Sequence, residues 1–152
     1  MSPALASVDR PAPGGRFDSA ARQQPANSTA VAPPLALVVD DSPFLALHLA
    51  RLLEGLGFNA RIPVDATELR ALAPEAALVC VELELFHASG FEVTRELAEQ
   101  CACPLVLLTG TGRNTDLQWG LRAGASAVLQ RPLRAGAMRA ALTRLGRGDL
   151  LQ

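Results

Sequence analysis

The sequence predicts an α/β fold in which a single parallel sheet is covered by helices on both faces. Short apolar runs alternate with helix-length amphipathic segments, which is the repeat expected of such a sheet. The run 77–81 is apolar at every position, as in a strand buried on both faces. A length of 152 residues, of which 49% are apolar, suffices for one domain of this kind.

Residues 1–34 differ in composition from the rest of the chain. They contain six prolines among Ala, Ser, Gly and Gln, with few apolar residues at regular spacing. Such a composition is typical of a flexible segment. The sequence therefore predicts a tail at 1–34, a domain at 35–146 and a short C-terminal tail at 147–152.

The first strand and the first helix are marked by the junction between them. Residues 35–39 are all apolar, and Asp40-Asp41-Ser42-Pro43 follows them with a turn, an N-cap and a proline suited to a first helical turn. Apolar residues at helical spacing then predict a helix from Pro43 that ends at Gly55 or Gly57.

The second strand is predicted at an edge of the sheet and the third at its centre. Residues 59–64 contain Pro63, whose nitrogen cannot donate to a ladder, so this strand belongs at an edge. A short helix over 66–73 leads to the apolar run 77–81, which is the central strand.

The second half of the domain repeats the pattern. We predict a helix over 90–100, a strand over 104–108, a helix over 115–123, a strand over 126–129 and a helix over 133–145. Because the carboxyl ends of parallel strands meet at one rim, polar residues that follow the strands should lie close together. These residues are Asp40, Asp41, Glu82, Thr109 and Arg131.

The charges are unevenly distributed although the net charge is only −1. Residues 35–100 contain 4 Arg and 11 acids, whereas residues 101–152 contain 7 Arg and 2 acids. A net charge near zero argues against bulk nucleic-acid binding. All 14 basic residues are Arg, so no Lys is available for a Schiff base or as a general base.

The cysteines and the hydropathy pattern indicate the compartment. Cys80, Cys101 and Cys103 are odd in number and lie in or beside apolar runs, which favours free thiols in a reducing environment. The sequence shows neither a secretion signal nor a run of eighteen apolar residues. We therefore expect a cytoplasmic protein that does not enter a membrane.

Five motifs in order resemble the CheY-like receiver domain of two-component response regulators. They are residues 38–43, 78–82 with 89–93, 104–109, 123–125 and Arg131-Pro132. The resemblance covers 35–146 and implies a doubly wound (βα)5, flavodoxin-like sheet with strand order 2-1-3-4-5. It also implies a phosphoacceptor Asp, a Mg²⁺ held by that Asp, an acidic pair and a backbone carbonyl, and a Thr and a Lys that contact the phosphoryl group.

The chain departs from this pattern at three positions. Glu82 stands at the phosphoacceptor position, Arg131 at the Lys position and Val128 at the position of a rotating aromatic. The extra methylene of Glu82 would disturb the alignment that phosphoryl transfer needs, and Arg131 cannot replace a compact ammonium. The positions that match in chemical type are Asp40, Asp41 and Thr109.

Three acids at one rim require compensation, because two like charges about 4 Å apart repel by roughly 4 kcal/mol at an effective dielectric near 20. A Mg²⁺ held by Asp41, Glu82 and the carbonyl of Glu84 would supply it. Alternatively, Arg131 serves as an internal cation that pairs with Glu82, or one carboxyl keeps its proton. We favour the internal cation and expect no cofactor, with Mg²⁺ as the alternative. A plainer interpretation is that Asp41 or Ser42 only caps the helix that starts at Pro43.

The fourth and fifth predicted helices carry the candidate partner surface. Leu117, Leu121 and Met138 are expected to point inward, whereas Trp119 suits an interface because aromatic side chains anchor such surfaces. The candidate surface residues are Trp119, Arg122, Arg134 and Arg139. The resemblance implies a histidine kinase or another signalling protein as the partner, with homodimerisation through these helices as a further candidate.

We therefore expect a stand-alone, receiver-like signalling module that is not an enzyme and acts without phosphorylation through protein contacts. One alternative is a Mg²⁺-dependent receiver that accepts phosphate weakly. Another is a small-molecule-binding α/β domain or an enzyme, against which the sequence shows no Ser-His-Asp order and no dinucleotide turn. Gly110 and Gly112 favour a flexible loop over a phosphate cradle.

Overall fold

The structure is a computed structural model that describes residues 31–152, so most of the predicted tail at 1–34 lies outside it. The strands are β1 (Leu35–Val39), β2 (Asn59–Arg61), β3 (Leu78–Glu82), β4 (Leu105–Thr109) and β5 (Ala127–Gln130). The helices are α1 (Pro43–Gly55), α2 (Ala66–Leu72), α3 (Gly90–Ala98), α4 (Asn114–Ala123) and α5 (Ala135–Arg144). The strands form one parallel sheet of order β2-β1-β3-β4-β5, which confirms the predicted fold class.

The sheet separates two apolar cores because alternate side chains of each strand point to opposite faces. One core joins Ala36 and Val38 of β1 to apolar residues of α1 and α5. The other joins Leu37 of β1 to Leu97 of α3 and to the apolar side of α2. Both β3 and β4 are buried along their whole length, so the strand ends that carry Glu82 and Thr109 are rigidly placed.

β2 is shorter than predicted. It ends at Arg61 and pairs only with β1, at the edge position that Pro63 indicated. The predicted extension to residue 64 is wrong, since Pro63 lacks the N–H that a longer ladder would need. Residues 63–65 instead connect the strand to α2, where Asp65 caps the helix by accepting from the Glu68 N–H at 2.8 Å.

The segment predicted as a C-terminal tail packs against the domain. A 3₁₀ turn over Gly148–Leu150 buries Leu150 in the core beside α1 and α5. The Gln152 N–H donates to the Leu56 carbonyl at 3.0 Å. These contacts join distant parts of the chain, so local composition did not reveal them. In residues 31–152, no helix has the length and apolarity needed to cross a bilayer.

Gly90 sets the distance between α3 and the end of β3. Its N–H donates to the Leu83 carbonyl at 2.8 Å. A Cβ built on Gly90 would lie 2.5 Å from the Leu83 Cα and would also strike the Glu82 carbonyl oxygen. We expect Gly90→Ala to lower the free energy of unfolding by about 1–3 kcal/mol, measured by urea denaturation, because backbone atoms would have to move.

Gly136→Ala is the matched control for that substitution. A Cβ at Gly136 meets no heavy atom within 4 Å. Gly136 lies in α5, and because alanine favours a helix more than glycine does, Gly136→Ala should raise the free energy of unfolding by about 0.5–1 kcal/mol. Equal changes in the two variants would contradict the role assigned to Gly90.

Candidate functional site

The junction between β1 and α1 places two carboxylates at the rim. Ser42 is the N-cap of α1, with its Oγ accepting from the Leu45 N–H at 3.3 Å. Asp40 accepts from the Ser42 N–H through Oδ1 at 2.9 Å, which leaves Oδ2 facing the crevice. Asp41 accepts from the backbone N–H of Phe86 in the loop after β3. Asp41 thus joins two loops, and Ser42 is the residue that caps the helix.

Glu82 is the last residue of β3 and is almost completely buried, with 5% of its surface exposed. Its Oε1 accepts from the Glu84 N–H at 3.1 Å. Its Oε2 forms an ion pair with Nη1 of Arg131. Both carboxylate oxygens of Glu82 are therefore engaged within the protein.

Arg131 directly follows β5, and its guanidinium lies between the two buried carboxylates. Nη2 of Arg131 is 2.7 Å from Oδ2 of Asp40, while Nη1 pairs with Glu82. The backbone N–H of Arg131 donates to the Thr109 carbonyl at 2.8 Å, which fixes the root of the side chain. We call Asp40, Arg131 and Glu82 the arginine bridge. Of the three ways in which the charge of the acids could be compensated, the structure has the one in which Arg131 acts as the internal cation.

The hydroxyl of Thr109 forms its hydrogen bonds outside the arginine bridge. Its Oγ1 donates to Oδ2 of Asp116 at 3.1 Å and lies 3.2 Å from Oγ1 of Thr111. The Thr111 hydroxyl donates to the same oxygen of Asp116. We call Thr109, Thr111 and Asp116 the threonine–aspartate cluster. It joins the end of β4 to the first turn of α4 across the glycine-containing loop.

Asp116 was not among the residues selected from the sequence. It is buried, with 7% of its surface exposed. The hydrogen bond from Thr111 lowers its pKa, although burial acts in the opposite direction; Thr109 and Arg113 add to the lowering. An acid in a first helical turn is common. Only its proximity to the two hydroxyls distinguishes it, and that proximity is tertiary.

The predicted Mg²⁺ ligands do not fit a metal in this arrangement. Asp41 is bonded to the Phe86 N–H, and Glu82 is paired with a cation. Glu84 lies in a loop whose backbone bridges to Ser89. Within the described part of the chain, no three His, Cys, Asp or Glu side chains converge as metal ligands do. A divalent cation would first have to displace the guanidinium from the two carboxylates.

The residues of the candidate partner surface are exposed. Trp119 is 54% exposed, and the Arg122 guanidinium lies 5.4 Å from its ring centroid in a cation–π contact. Arg134 and Arg139 are exposed at the start and on the surface of α5. Val128 is half-buried, and a Cβ on Gly120 of α4 would lie only 2.7 Å from its Cγ2.

The predicted orientation of Leu117 and Leu121 is wrong. They are 42% and 48% exposed, whereas Met138 of α5 is fully buried as expected. Asp116, Gly120 and Ala123 form the buried face of α4. Here the small and polar residues face the protein because Asp116 is drawn inward by two hydroxyls and Gly120 allows close packing on Val128.

Residues 36–143 match the family model described as the response regulator receiver domain. The response regulator MtrA of Mycolicibacterium smegmatis, described as DNA-binding, is 35% identical over 102 residues, which are 64% of this chain and 44% of MtrA. This chain therefore spans less than half of that protein's length. Protein PilH of Pseudomonas aeruginosa is 32% identical over 102 residues, which are 64% of this chain and 84% of PilH.

Solved structures show the same architecture. A response regulator from Burkholderia pseudomallei with a phosphorylated aspartic acid, a calcium ion and citrate has a TM-score of 0.65 and 25% identity, over 76% of this chain and 72% of that one. The chemotaxis protein CheY4 of Vibrio cholerae has a TM-score of 0.66 and 23% identity, over 74% of this chain and 98% of that one.

The arginine bridge should contribute strongly to stability. Arg131→Ala would leave the carboxylates of Asp40 and Glu82, whose side chains are 4% and 6% exposed, without the cation between them. We expect the free energy of unfolding to fall by about 2–4 kcal/mol, measured by urea denaturation. Arg70→Ala is the control, since it breaks an exposed 3.0 Å pair with Glu96 and should cost about 0.5 kcal/mol or less. Similar losses in both variants would contradict this role.

Asp116 should make stability depend on pH in the acid range. Because its pKa is lowered in the folded state from an ordinary value of 3.8, its contribution is complete above that value and is lost as the pH falls through the folded pKa. Wild type should therefore exceed Asp116→Asn in free energy of unfolding at about pH 6, and the gap should narrow at about pH 2.

Asp149→Asn serves as the control for this pH dependence. The pKa of Asp149 is also lowered, by its hydrogen bond with Arg147, but that carboxylate lies in solvent. Because solvent screens this charge, Asp149→Asn should change the free energy of unfolding less than Asp116→Asn does at both pH values. A gap between wild type and Asp116→Asn that does not change with pH would contradict the role of the ionised carboxylate, since the two side chains have the same shape and differ in charge and hydrogen bonding.

Proposed function

The chain belongs to the response regulator receiver domain family of two-component signalling, and from that premise we propose that it signals without phosphorylation, through contacts with other proteins. The observation that carries this proposal is the arginine bridge. At Glu82, the residue at the phosphoacceptor position, Oε1 accepts a hydrogen bond from the Glu84 N–H and Oε2 is ion-paired with the Arg131 guanidinium.

Phosphoryl transfer to Glu82 would require a free carboxylate oxygen in line with the phosphorus atom. Either Oε2 would have to leave Arg131 or Oε1 would have to leave the Glu84 N–H. Separating Glu82 from Arg131 would leave a nearly buried carboxylate without its cation, which is unfavourable. The protein therefore stabilises the unmodified form of this residue.

The hydroxyl at the end of β4 supports the same proposal. In the family, this position supplies a group that contacts the phosphoryl oxygen, yet Thr109 here is hydrogen-bonded to Asp116 and Thr111. The charge on Asp116 strengthens that contact, since hydrogen bonds to an ionised acceptor are stronger than neutral ones. We infer that the threonine–aspartate cluster holds the loop between β4 and α4 in one conformation without a phosphoryl group.

A cation is also in place without a metal. The relative from Burkholderia pseudomallei contains a phosphorylated aspartic acid and a calcium ion. In this chain the Arg131 guanidinium bridges Asp40 and Glu82. We propose that this side chain replaces the metal in balancing the acids, so that the state of the domain does not depend on Mg²⁺.

A receiver domain that keeps one conformation would act by binding a partner protein and not by changing its conformation on phosphorylation. The exposed Trp119, held by Arg122, offers a rigid aromatic anchor, which is the kind of residue that dominates interface energetics. Arg134 and Arg139, which are exposed at α5, belong to the basic half of the chain. We propose a histidine kinase or another signalling protein with an acidic docking surface as the partner. Association of two copies through α4 and α5 is the competing arrangement.

Intact mass spectrometry after incubation with a small acyl phosphate donor and Mg²⁺ tests the proposal. We expect no phosphoryl adduct on wild type. The double variant Glu82→Asp/Arg131→Lys should gain one adduct, because it restores the shorter acid and the compact cation that the family uses. Glu82→Gln/Arg131→Lys is the matched control and should gain none.

One phosphoryl group on wild type would overturn the proposal and favour a weak, Mg²⁺-dependent receiver. An adduct on the double variant that maps to any position other than 82 would show that the site is not restored by these two changes. Circular dichroism of each variant verifies that a missing adduct does not result from loss of folding.

A further inference from the structure

An apolar groove lies between α1 and the connection from β5 to α5. Its volume is about 470 Å³, which falls within the range of about 300–1,000 Å³ found for small-molecule sites. The lining residues are Phe44, Leu45, His48, Leu49, Leu52, Leu108, Arg131, Pro132 and Leu133. This groove adjoins the crevice that contains Asp41 and Glu84.

The shape of the groove follows from the helical repeat of α1. Leu45, His48, Leu49 and Leu52 are spaced three and four residues apart, so they form one face of the helix. Leu49 and Leu108 are buried at the base, whereas Phe44 is 79% exposed. An aromatic ring this exposed beside an apolar groove is costly to leave in water, and it suits a site that covers an apolar ligand.

The polar groups of the groove carry one sign of charge. Arg131 is cationic and His48 can become so, while none of the lining residues is acidic. The guanidinium has five N–H donors, and its contacts with Asp40 and Glu82 use Nη1 and Nη2. Arg131 is also 21% exposed and lines the groove, so part of its side chain is open to that space.

We propose that this groove binds a small molecule that has an apolar body and a carboxylate head. The body lies along Leu45, Leu49 and Leu52, under Phe44. The carboxylate accepts hydrogen bonds from Arg131, with His48 at the opposite end of the polar edge. An apolar pocket with a few convergent polar groups is the usual form of a small-molecule site.

Such a ligand would be coupled to the arginine bridge. Leu45 and Arg131 line both the groove and the crevice of Asp40 and Glu82, so a carboxylate in the groove competes with these acids for one guanidinium. Coupling between sites is reciprocal. Removing the charge of Glu82 should therefore increase the affinity of the groove for the anion. The proposed coupling depends on the arginine bridge and therefore on the proposed function, whereas the proposed binding site depends only on the residues that line the groove.

NMR titration of the full chain with decanoate tests the proposal, with decanol as the uncharged probe of equal length. We expect saturable shifts in the backbone amides of residues 44–52 and 131–133, and binding of decanol weaker by about tenfold or more, since a charge-assisted hydrogen bond is lost. Equal affinity for the two probes would overturn the carboxylate head. Shifts that avoid these residues would overturn the groove itself.

Two variants of α1 supply the matched comparison. His48→Glu places an acid on an exposed lining position and should weaken decanoate about tenfold while leaving decanol unchanged. Leu47→Glu places the same charge on the neighbouring residue, which is 48% exposed and outside the lining, and should change neither affinity. Equal weakening by the two variants would overturn the site, since charge anywhere on α1 would then suffice.

Glu82→Gln tests the coupling separately. Tighter decanoate binding with unchanged decanol binding is the expected result. Unchanged decanoate affinity would overturn the coupling through Arg131, and it would do so independently of whether wild type accepts a phosphoryl group.

Discussion

The neutralisation of two nearly buried carboxylates by one guanidinium constrains the rim of this domain. Asp40 directly follows β1 and Glu82 ends the adjacent strand β3, and the charges of these nearly buried side chains would repel each other without a cation. Arg131 approaches from β5, beyond β4, and its long side chain reaches both acids. A lysine at that position would offer a single nitrogen to both acids, whereas the planar fork of arginine presents a separate nitrogen to each acceptor.

The arginine bridge also decides the role of its neighbours. Because Glu82 is directed to Arg131, Thr109 has no anion to bind on that side, and its hydroxyl donates to Asp116 of α4. The rim therefore contains two separate polar networks, of which one connects the ends of β1, β3 and β5 and the other connects β4 to α4. Each satisfies buried charge with internal partners, which favours a single arrangement of the loops. The groove beside α1 shares Arg131 with the first network, so a change in the bridge would also reach that surface.

The sequence alone determined the parts of this protein that depend on local pattern. Alternating apolar runs and amphipathic segments defined five strands and five helices, and Pro63 placed β2 at the edge. The rule that parallel strands end at one rim also selected Asp40, Glu82 and Arg131 as neighbours. These inferences succeed because periodicity and junction chemistry are properties of a few consecutive residues.

Only the tertiary structure decided which polar groups bond to one another. Arg131 and Asp40 are 91 residues apart in sequence, and the choice of Arg131 over another cation depends on the reach and direction of its side chain. Asp116 stayed unnoticed because nothing in its neighbours shows that two hydroxyls converge on it. The choice of Asp116, Gly120 and Ala123 as the buried face of α4 also follows from packing between distant segments. The same holds for the burial of Leu150 in the core, and a local pattern encodes neither.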